Sequence, residues 1–241
     1  VCPGDYIWTD AMKRSLDASE EVCLEIDMDN TNALAESFGL LVDPVKKLSD
    51  YFTSVNYIKL QQYAKDSLEL EPQILVHLKP VAVLMLLTKE AGTLCDVPVS
   101  YEENIMKTAK AKKKPIVGLE TVAQQMKALE SVPADTIVKY VLETISNNNS
   151  EDGAEEYMKL VNAYKNQDIL KLQEMIASSE GLAAATDVLL NERNRNWIDN
   201  MKDIMNRGKS VFFAVGAGHL AGNNGVIALL RQAGYTVTPI R

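Results

Sequence analysis

His219 follows a continuous apolar run, Val211 to Val215, through the turn Gly216-Ala217-Gly218, and precedes Ala221-Gly222-Asn223-Asn224-Gly225. An imidazole at such a strand-to-helix corner faces whatever binds there, and the surrounding glycines let the backbone approach a ligand closely or adopt positive φ. Gly216, Gly218 and Asn223 are therefore expected to line a substrate site. A lone histidine in this position also has a purely structural role open to it. Two other apolar runs end in carboxylates: Val22-Cys23-Leu24 leads to Glu25 and Asp27, and Ile116 to Leu119 leads to Glu120. Glu25 can be a solvated strand end. Glu120 can be a first-turn helix carboxylate facing the helix dipole. If the three strand ends meet, two glutamates and a histidine gather at one edge, a set suited to proton transfer or to holding a divalent cation.

Arg193 is the fourth candidate. Leu182, Leu189, Trp197, Met201 and Ile204 recur at helical spacing, and Arg193 lies four residues after Leu189 and four before Trp197, on the apolar stripe. A guanidinium on a buried face needs a carboxylate or an anionic ligand. It forms either an internal ion pair or the anchor of a catalytic carboxylate or substrate carbonyl. His77, within the apolar run Ile74 to Leu78, reads as a packed histidine, and Cys23 and Cys95 read as small core residues.

The elements that must position these residues are short strands separated by long helical stretches. Strands are expected at Val22 to Ile26, Ile116 to Leu119, Val211 to Val215 (buried on both faces) and Tyr235 to Ile240. Amphipathic helices are expected at about 6 to 18, several within 31 to 70, then 79 to 91, 100 to 112, 121 to 130, 134 to 147, 151 to 165, and 168 to 206 with a break near Gly181. Asn147-Asn148-Asn149-Ser150 reads as a loop joining two helices. Strands so far apart need crossover connections, which gives an α/β fold with a mostly parallel central sheet and an extensive helical layer or lobe. In such a sheet the ligand crevice lies at the carboxyl ends of the strands, where Glu25, Glu120 and His219 fall.

Composition narrows the function. The chain has 241 residues, enough to bury roughly 70–75% of its extended surface without disulfides or a structural metal. Two histidines and three cysteines exclude a zinc-finger array and a disulfide scaffold, so a metal site within the chain must lean on carboxylates. The odd, scattered cysteines fix no redox compartment. A net charge of −8 argues against nucleic acid, and the run Lys110 to Lys114 reads as a solvated helix end. No transmembrane segment is expected, because no stretch approaches the roughly 18 apolar residues of a membrane span. Gly216-x-Gly218 after a strand resembles a dinucleotide-binding turn, but no acidic residue follows Asp203, which argues against a nicotinamide or flavin cofactor.

Taken together these residues resemble the TraB/PrgY/GumN family, to which the animal Tiki proteases also belong, and within it bacterial GumN-like members. Val215-Gly216-Ala217-Gly218-His219-Leu220-Ala221-Gly222 resembles the second GxxH motif, Glu192-Arg193-Asn194 the Glu-Arg-Asn helix signature, Gly118-Leu119-Glu120-Thr121 the middle segment, and Leu24-Glu25-Ile26-Asp27 the early glutamate. The resemblance implies a single domain over 1–241, similar in fold to the erythromycin-esterase and ChaN-like proteins, and a metal-dependent hydrolase acting on a peptide or protein substrate. It further implies a first GxxH motif, which this sequence does not contain. Val1-Cys2-Pro3-Gly4-Asp5 is similar to the turn that follows it, so the sequence reads as a trimmed or processed chain short of its first strand. On this reading His219 and Glu25, with an upstream histidine, hold a divalent metal (Mn, Co or Zn) that activates water. Glu120 is a further ligand or the general base, and Arg193 with Asn194 orients a carboxylate or polarises the scissile carbonyl. Export to the periplasm or beyond follows from the bacterial relatives. The alternative is a non-catalytic protein that sequesters a peptide or signal molecule in the same crevice.

Overall fold

The computed structural model describes residues 1–27, 39–91, 95, 97–147, 151–178 and 185–240. Of the expected loop Asn147 to Ser150, residues 148–150 lie outside these residues, as do the break near Gly181 and Leu182, while Asn147 is the last residue of a helix. After α1 (Asp10–Ala18) and β1 (Glu21–Ile26), the chain builds α2 (Ser54–Ser67), α3 (Pro80–Ala91) and α4 (Tyr101–Ala111) before β2 (Ile116–Glu120). Four more helices follow, α5 (Val122–Glu130), α6 (Ala134–Asn147), α7 (Glu151–Lys165) and α8 (Ile169–Ser178). A π-helical segment, Asp187–Glu192, runs directly into α9 (Arg193–Met205), and β3 (Val211–Phe213) and α10 (Val226–Gln232) complete the series.

The three strands are all parallel, in the order β2-β1-β3, with Val22 opposite Ile116 and Phe212. Parallel neighbours joined by long crossovers are what the wide strand spacing required. Residue alternation in β1 sends Val22 and Leu24 to one face and Cys23 to the other. The first pair packs with Leu16, Ile105 and Ala109 of α1 and α4. Cys23 packs with Trp197, Met201 and Ile204 of α9 and Val226 of α10. The central strand is thus enclosed on both faces. A separate apolar cluster, including Leu60, Val83, Leu87, Val122, Met126, Ile137 and Val141, forms a helical lobe from α2, α3, α5 and α6. Lys112 and Lys114, in the short basic run, bind Asp17 and the Ser19 carbonyl at the end of α1.

Four expectations need correction. Val211 to Val215 is not buried on both faces: the strand stops at Phe213 and is half-buried, because β3 is an outer strand of the described sheet. Tyr235 to Ile240 is no strand; the Val237 carbonyl accepts from Arg231 Nη2 at 2.8 Å instead of from a neighbouring strand. His77 is exposed rather than packed: Leu75 is buried and Leu78 packs on the lobe cluster, while His77, between them in the run, is left on the outside. Cys95 is not a core residue but is disulfide-bonded to Cys2, with a Cα–Cα distance of 5.8 Å. Cys23 alone behaves as the expected buried hydrophobe, and burial pushes its thiol up to about 12.

The disulfide fastens the segment before α1 to the segment before α4. Val1 and Val99 reinforce it through reciprocal backbone bonds of 3.1 and 2.8 Å. The bridge spans 93 residues; closing a loop of about 100 residues removes about 4.7 kcal/mol of unfolded-state entropy, of which disulfides typically deliver about 2–4 kcal/mol. Replacing Cys2 and Cys95 together by serine is expected to lower the unfolding free energy in urea by that amount, and reducing the wild-type protein should reproduce the loss. Identical unfolding curves with and without reductant would refute the bridge.

Candidate functional site

β1 ends beside Glu25, β2 ends at Glu120, and β3 leads through Ala214 and Val215 to the 3₁₀ turn Ala217–His219. Glu120 is therefore a strand-end residue. The helix that follows it is capped by Thr121, which exchanges bonds with Gln124: Thr121 Oγ1 accepts from the Gln124 N–H at 3.1 Å, and Gln124 Oε1 accepts from the Thr121 N–H at 2.8 Å. Glu25 lies on the same face of β1 as Cys23, the face covered by α9. That helix delivers Arg193, its neighbour Asn194 and, one turn further on, Trp197 to the three strand ends. The π-helical segment just before Arg193 changes the helix phase there, a feature often found at functional positions.

Arg193 is the hub. Its Nη2 donates to Glu25 Oε2 at 2.7 Å and to Glu120 Oε1 at 2.6 Å, its Nε donates to Glu120 Oε1 at 3.0 Å, and its Nη1 donates to the Leu189 carbonyl at 3.0 Å. Burial disfavours the guanidinium charge, but Glu120 and then Glu25 more than offset it and raise its pKa. The guanidinium also lies over the Trp197 ring, 4.8 Å from the centroid. Glu120 Oε2 accepts from Trp197 Nε1 at 3.1 Å, and its Oε1 from Gln125 Nε2 at 3.2 Å, so both oxygens are engaged. Glu25 Oε1 accepts from the Gly216 N–H at 2.7 Å. A side chain at Gly216 would place its Cβ 3.2 Å from that oxygen, so the close approach favours glycine.

His219 is buried at 5% exposure and packs on Trp197 with ring centroids 4.3 Å apart. Its Nδ1 lies 2.6 Å from Asn194 Oδ1. Asn194 Nδ2 donates to the carbonyls of His219 at 3.3 Å and Asn224 at 2.8 Å, which orients the amide so that Oδ1 is an acceptor. The proton is thereby assigned to Nδ1. Nε2 then carries the lone pair, 3.3 Å from Arg193 Nη1 and 3.9 Å from Glu25 Oε1. A neutral imidazole held in this tautomer can act as a base or a metal ligand.

Glu25, Glu120, Arg193, Asn194 and His219 are thus brought together, with Gly216 bound to Glu25. Gly218 faces Ile176 of α8, 3.0 Å from where a Cβ would stand, and Asn223 is exposed on the following turn. Trp197, Gln125 and Asn200 were not singled out as site residues; Asn200 donates to the Leu119 carbonyl at 2.6 Å. The signal for Trp197 was present, since it stands four residues after Arg193 on one helix face and a buried indole N–H needs an acceptor. A cavity of about 450 Å³ adjoins Glu120 and is lined also by Asp27, Thr121, Gln124, Asn200 and Asp203.

The metal reading can be weighed on donor chemistry. His219 Nε2 and Glu25 fit a divalent cation, a neutral imidazole and a carboxylate close together. They are two donors, and among the described residues no group of three or more histidine, cysteine, aspartate or glutamate side chains could hold a metal ion. Also among these residues, no helix is long and apolar enough to cross a membrane. The family model described as TraB/PrgY/gumN matches residues 2–239. No curated protein and no solved structure matches the chain.

Burial pushes the His219 imidazole down to about 4; Glu25 opposes the shift and Arg193 adds to it. An unfolded histidine protonates near pH 6.5, so between these values the unfolded chain binds more protons than the folded one. The stabilisation from a neutral His219 is therefore complete above pH 6.5 and is lost as pH falls toward 4, up to about 3 kcal/mol. The His219 ring resonances should stay those of the neutral form at pH 5.5, and His219→Asn should flatten the fall in stability between pH 6.5 and 4.5. Ring protonation near pH 6.5 would contradict the buried, Asn194-bound geometry.

Proposed function

The chain belongs to the TraB/PrgY/gumN family, and on that premise we propose that it is a metal-dependent hydrolase acting on peptides, with Glu25 and His219 as the ligands it supplies from the described residues. The observation that carries the reading is the clamp on His219: Asn194 fixes the Nδ1 proton, so Nε2 keeps its lone pair, 3.9 Å from Glu25 Oε1 and 3.3 Å from Arg193 Nη1. A ligating histidine needs this support for its tautomer and ring orientation. The bound metal, manganese, cobalt or zinc, would supply an activated water.

Each remaining part is assigned to the chain itself. The Gly216 N–H and Arg193 hold the two oxygens of Glu25 and fix its rotamer. Glu120 has both oxygens committed to Arg193, Trp197 and Gln125, which suits it to fixing the guanidinium rather than to taking up a proton. Arg193, 12% exposed, carries the positive charge that can face a carbonyl oxygen as it turns negative. Beside Glu120, the cavity walls from Thr121, Gln124, Asn200 and Asp203 offer donors and acceptors to peptide amides. We also assign the protein to an oxidising compartment outside the cytosol, supported by the Cys2–Cys95 disulfide.

A second reading, a non-catalytic protein that sequesters a peptide or signal molecule, is favoured by one feature: Arg193 engages Glu25 and contacts His219, the two donors the metal reading needs. Turnover separates the two. His219→Ala is expected to reduce metal-dependent peptide cleavage at least about 100-fold while leaving the circular dichroism spectrum unchanged, and chelation should do the same reversibly. Cleavage that persists in the variant or under chelation would overturn the metal mechanism, and peptide binding without cleavage in the metal-loaded wild type would favour sequestration.

A further inference from the structure

The three parallel strands start side by side: the Val22 N–H donates to the Pro115 carbonyl at 3.0 Å, and the Glu20 N–H to the Ser210 carbonyl at 2.8 Å. This edge lies at the opposite end of the sheet from Glu25, Glu120 and His219, about 20 Å away by the length of α9. The chain arrives at it through basic segments. Lys112, Lys113 and Lys114 stand before β2, and Arg207 and Lys209 before β3. Lys13 and Arg14 lie on α1, which runs into β1. Within 13–21, 112–115 and 207–210 only Asp17, Glu20 and Glu21 oppose these cations, in a chain whose net charge is −8. All three carboxylates are engaged: Asp17 takes Lys112, Glu20 Oε2 accepts from the Ser210 N–H at 2.9 Å, and the buried Glu21 accepts from Arg207 Nη1 at 3.3 Å. Lys112, with Lys13 and Lys114, holds the Asp17 carboxyl below its usual range, and Ser210, with Lys209 and Lys114, does the same for Glu20. Positive charge from all three segments therefore converges on one edge.

We propose that this basic edge docks on an anionic lipid bilayer, with its cations against the headgroup phosphates and the carboxyl ends of the strands turned to solvent. Part of the charge has a local task. Lys114 Nζ donates to the carbonyls of Asp17, at 2.9 Å, and Ser19 at the end of α1, where the helix dipole favours a cation. Lys13, Arg14, Lys113 and Lys209 are exposed and extend the positive surface beyond that cap. A cluster of this kind is drawn to an anionic leaflet once it comes within a screening length. None of the three segments presents an exposed large apolar side chain, the anchor that a protein partner would need. The edge therefore suits a plane of negative charge. Docked this way, the protein keeps its strand-end crevice open to a peptide arriving from solution. The docking requires neither a metal nor turnover, so it stands or falls apart from the hydrolase reading.

Co-sedimentation of the full chain with lipid vesicles tests the docking. Wild type should sediment with vesicles of equal parts phosphatidylcholine and phosphatidylglycerol, stay in solution with phosphatidylcholine alone, and be released at about 1 M sodium chloride, where the screening length is about 3 Å. Replacing Lys13, Arg14, Lys113 and Lys209 together by glutamine should weaken the partition at least about tenfold. Replacing Lys59, Lys65, Lys159 and Lys171, exposed cations on α2, α7 and α8, makes the same change in net charge and should leave it unaltered. If the first variant does not fold, Lys113→Gln with Lys209→Gln should show a smaller loss of the same sign. No binding of wild type to the anionic vesicles would overturn the proposal, as would equal binding to phosphatidylcholine or equal losses in the two fourfold variants. Binding of soluble polyglutamate in place of the vesicles would overturn it in favour of an acidic protein partner.

Discussion

A guanidinium taken out of water has to be compensated, and in this protein the compensation for Arg193 is drawn from distant parts of the chain. Glu25 lies 168 residues away in sequence, Glu120 73 and His219 26. None of these contacts forms until β1, β2 and the turn after β3 lie side by side with α9 across their ends. Removing one partner from such a buried cluster leaves a charge unpaired, at a cost of about 3–5 kcal/mol. The ion cluster thus acts as a check on the assembled topology as well as a chemical centre. Trp197 joins the two roles, because its ring supports both Arg193 and His219 while its N–H holds Glu120.

The remaining architecture serves to hold those strand ends in place. Apolar side chains from α1 and α4 on one face and from α9 and α10 on the other enclose β1, which carries Glu25. The helical lobe has its own apolar cluster and meets the site region through Ile26 and Leu189, each next to a residue or carbonyl of the ion network. Leu189 packs on the lobe with its side chain while its carbonyl receives Arg193. The lobe and the charged centre are therefore mechanically linked at that residue.

Much of the centre could be read from the sequence because strand periodicity and the strand-end rule are local signals. Glu25, Glu120 and His219 each end or follow an apolar run, and Arg193 betrayed itself as a charge on an apolar helical stripe. The partners could not be read in the same way. That Arg193 bridges both glutamates, or that Asn194 selects the His219 tautomer, depends on how strands and helices 25 to 168 residues apart in sequence come together. Cys2 and Cys95 illustrate the limit: with three cysteines, spacing cannot choose a pair. Tyr235 to Ile240 failed for the opposite reason. Its alternating pattern is real, with Tyr235 and Val237 half-buried between exposed neighbours, but a pattern does not supply a strand to pair with.

The π-helical turn at Asp187–Glu192 has a further implication for how this centre tolerates insertions and deletions. A π turn accommodates one more residue than an α turn, and each residue of an α-helix advances the side-chain direction by about 100°. Leu189 and Arg193 face two different neighbours, the lobe and the strand ends, on either side of that extra residue. Losing a single residue between Asp187 and Glu192 would restore a regular helix and leave every side chain chemically unchanged. It would still turn the lobe-facing residues by more than a quarter of a revolution relative to Arg193, Asn194 and Trp197. The length of this turn sets the rotational phase in which lobe and charged centre fit together.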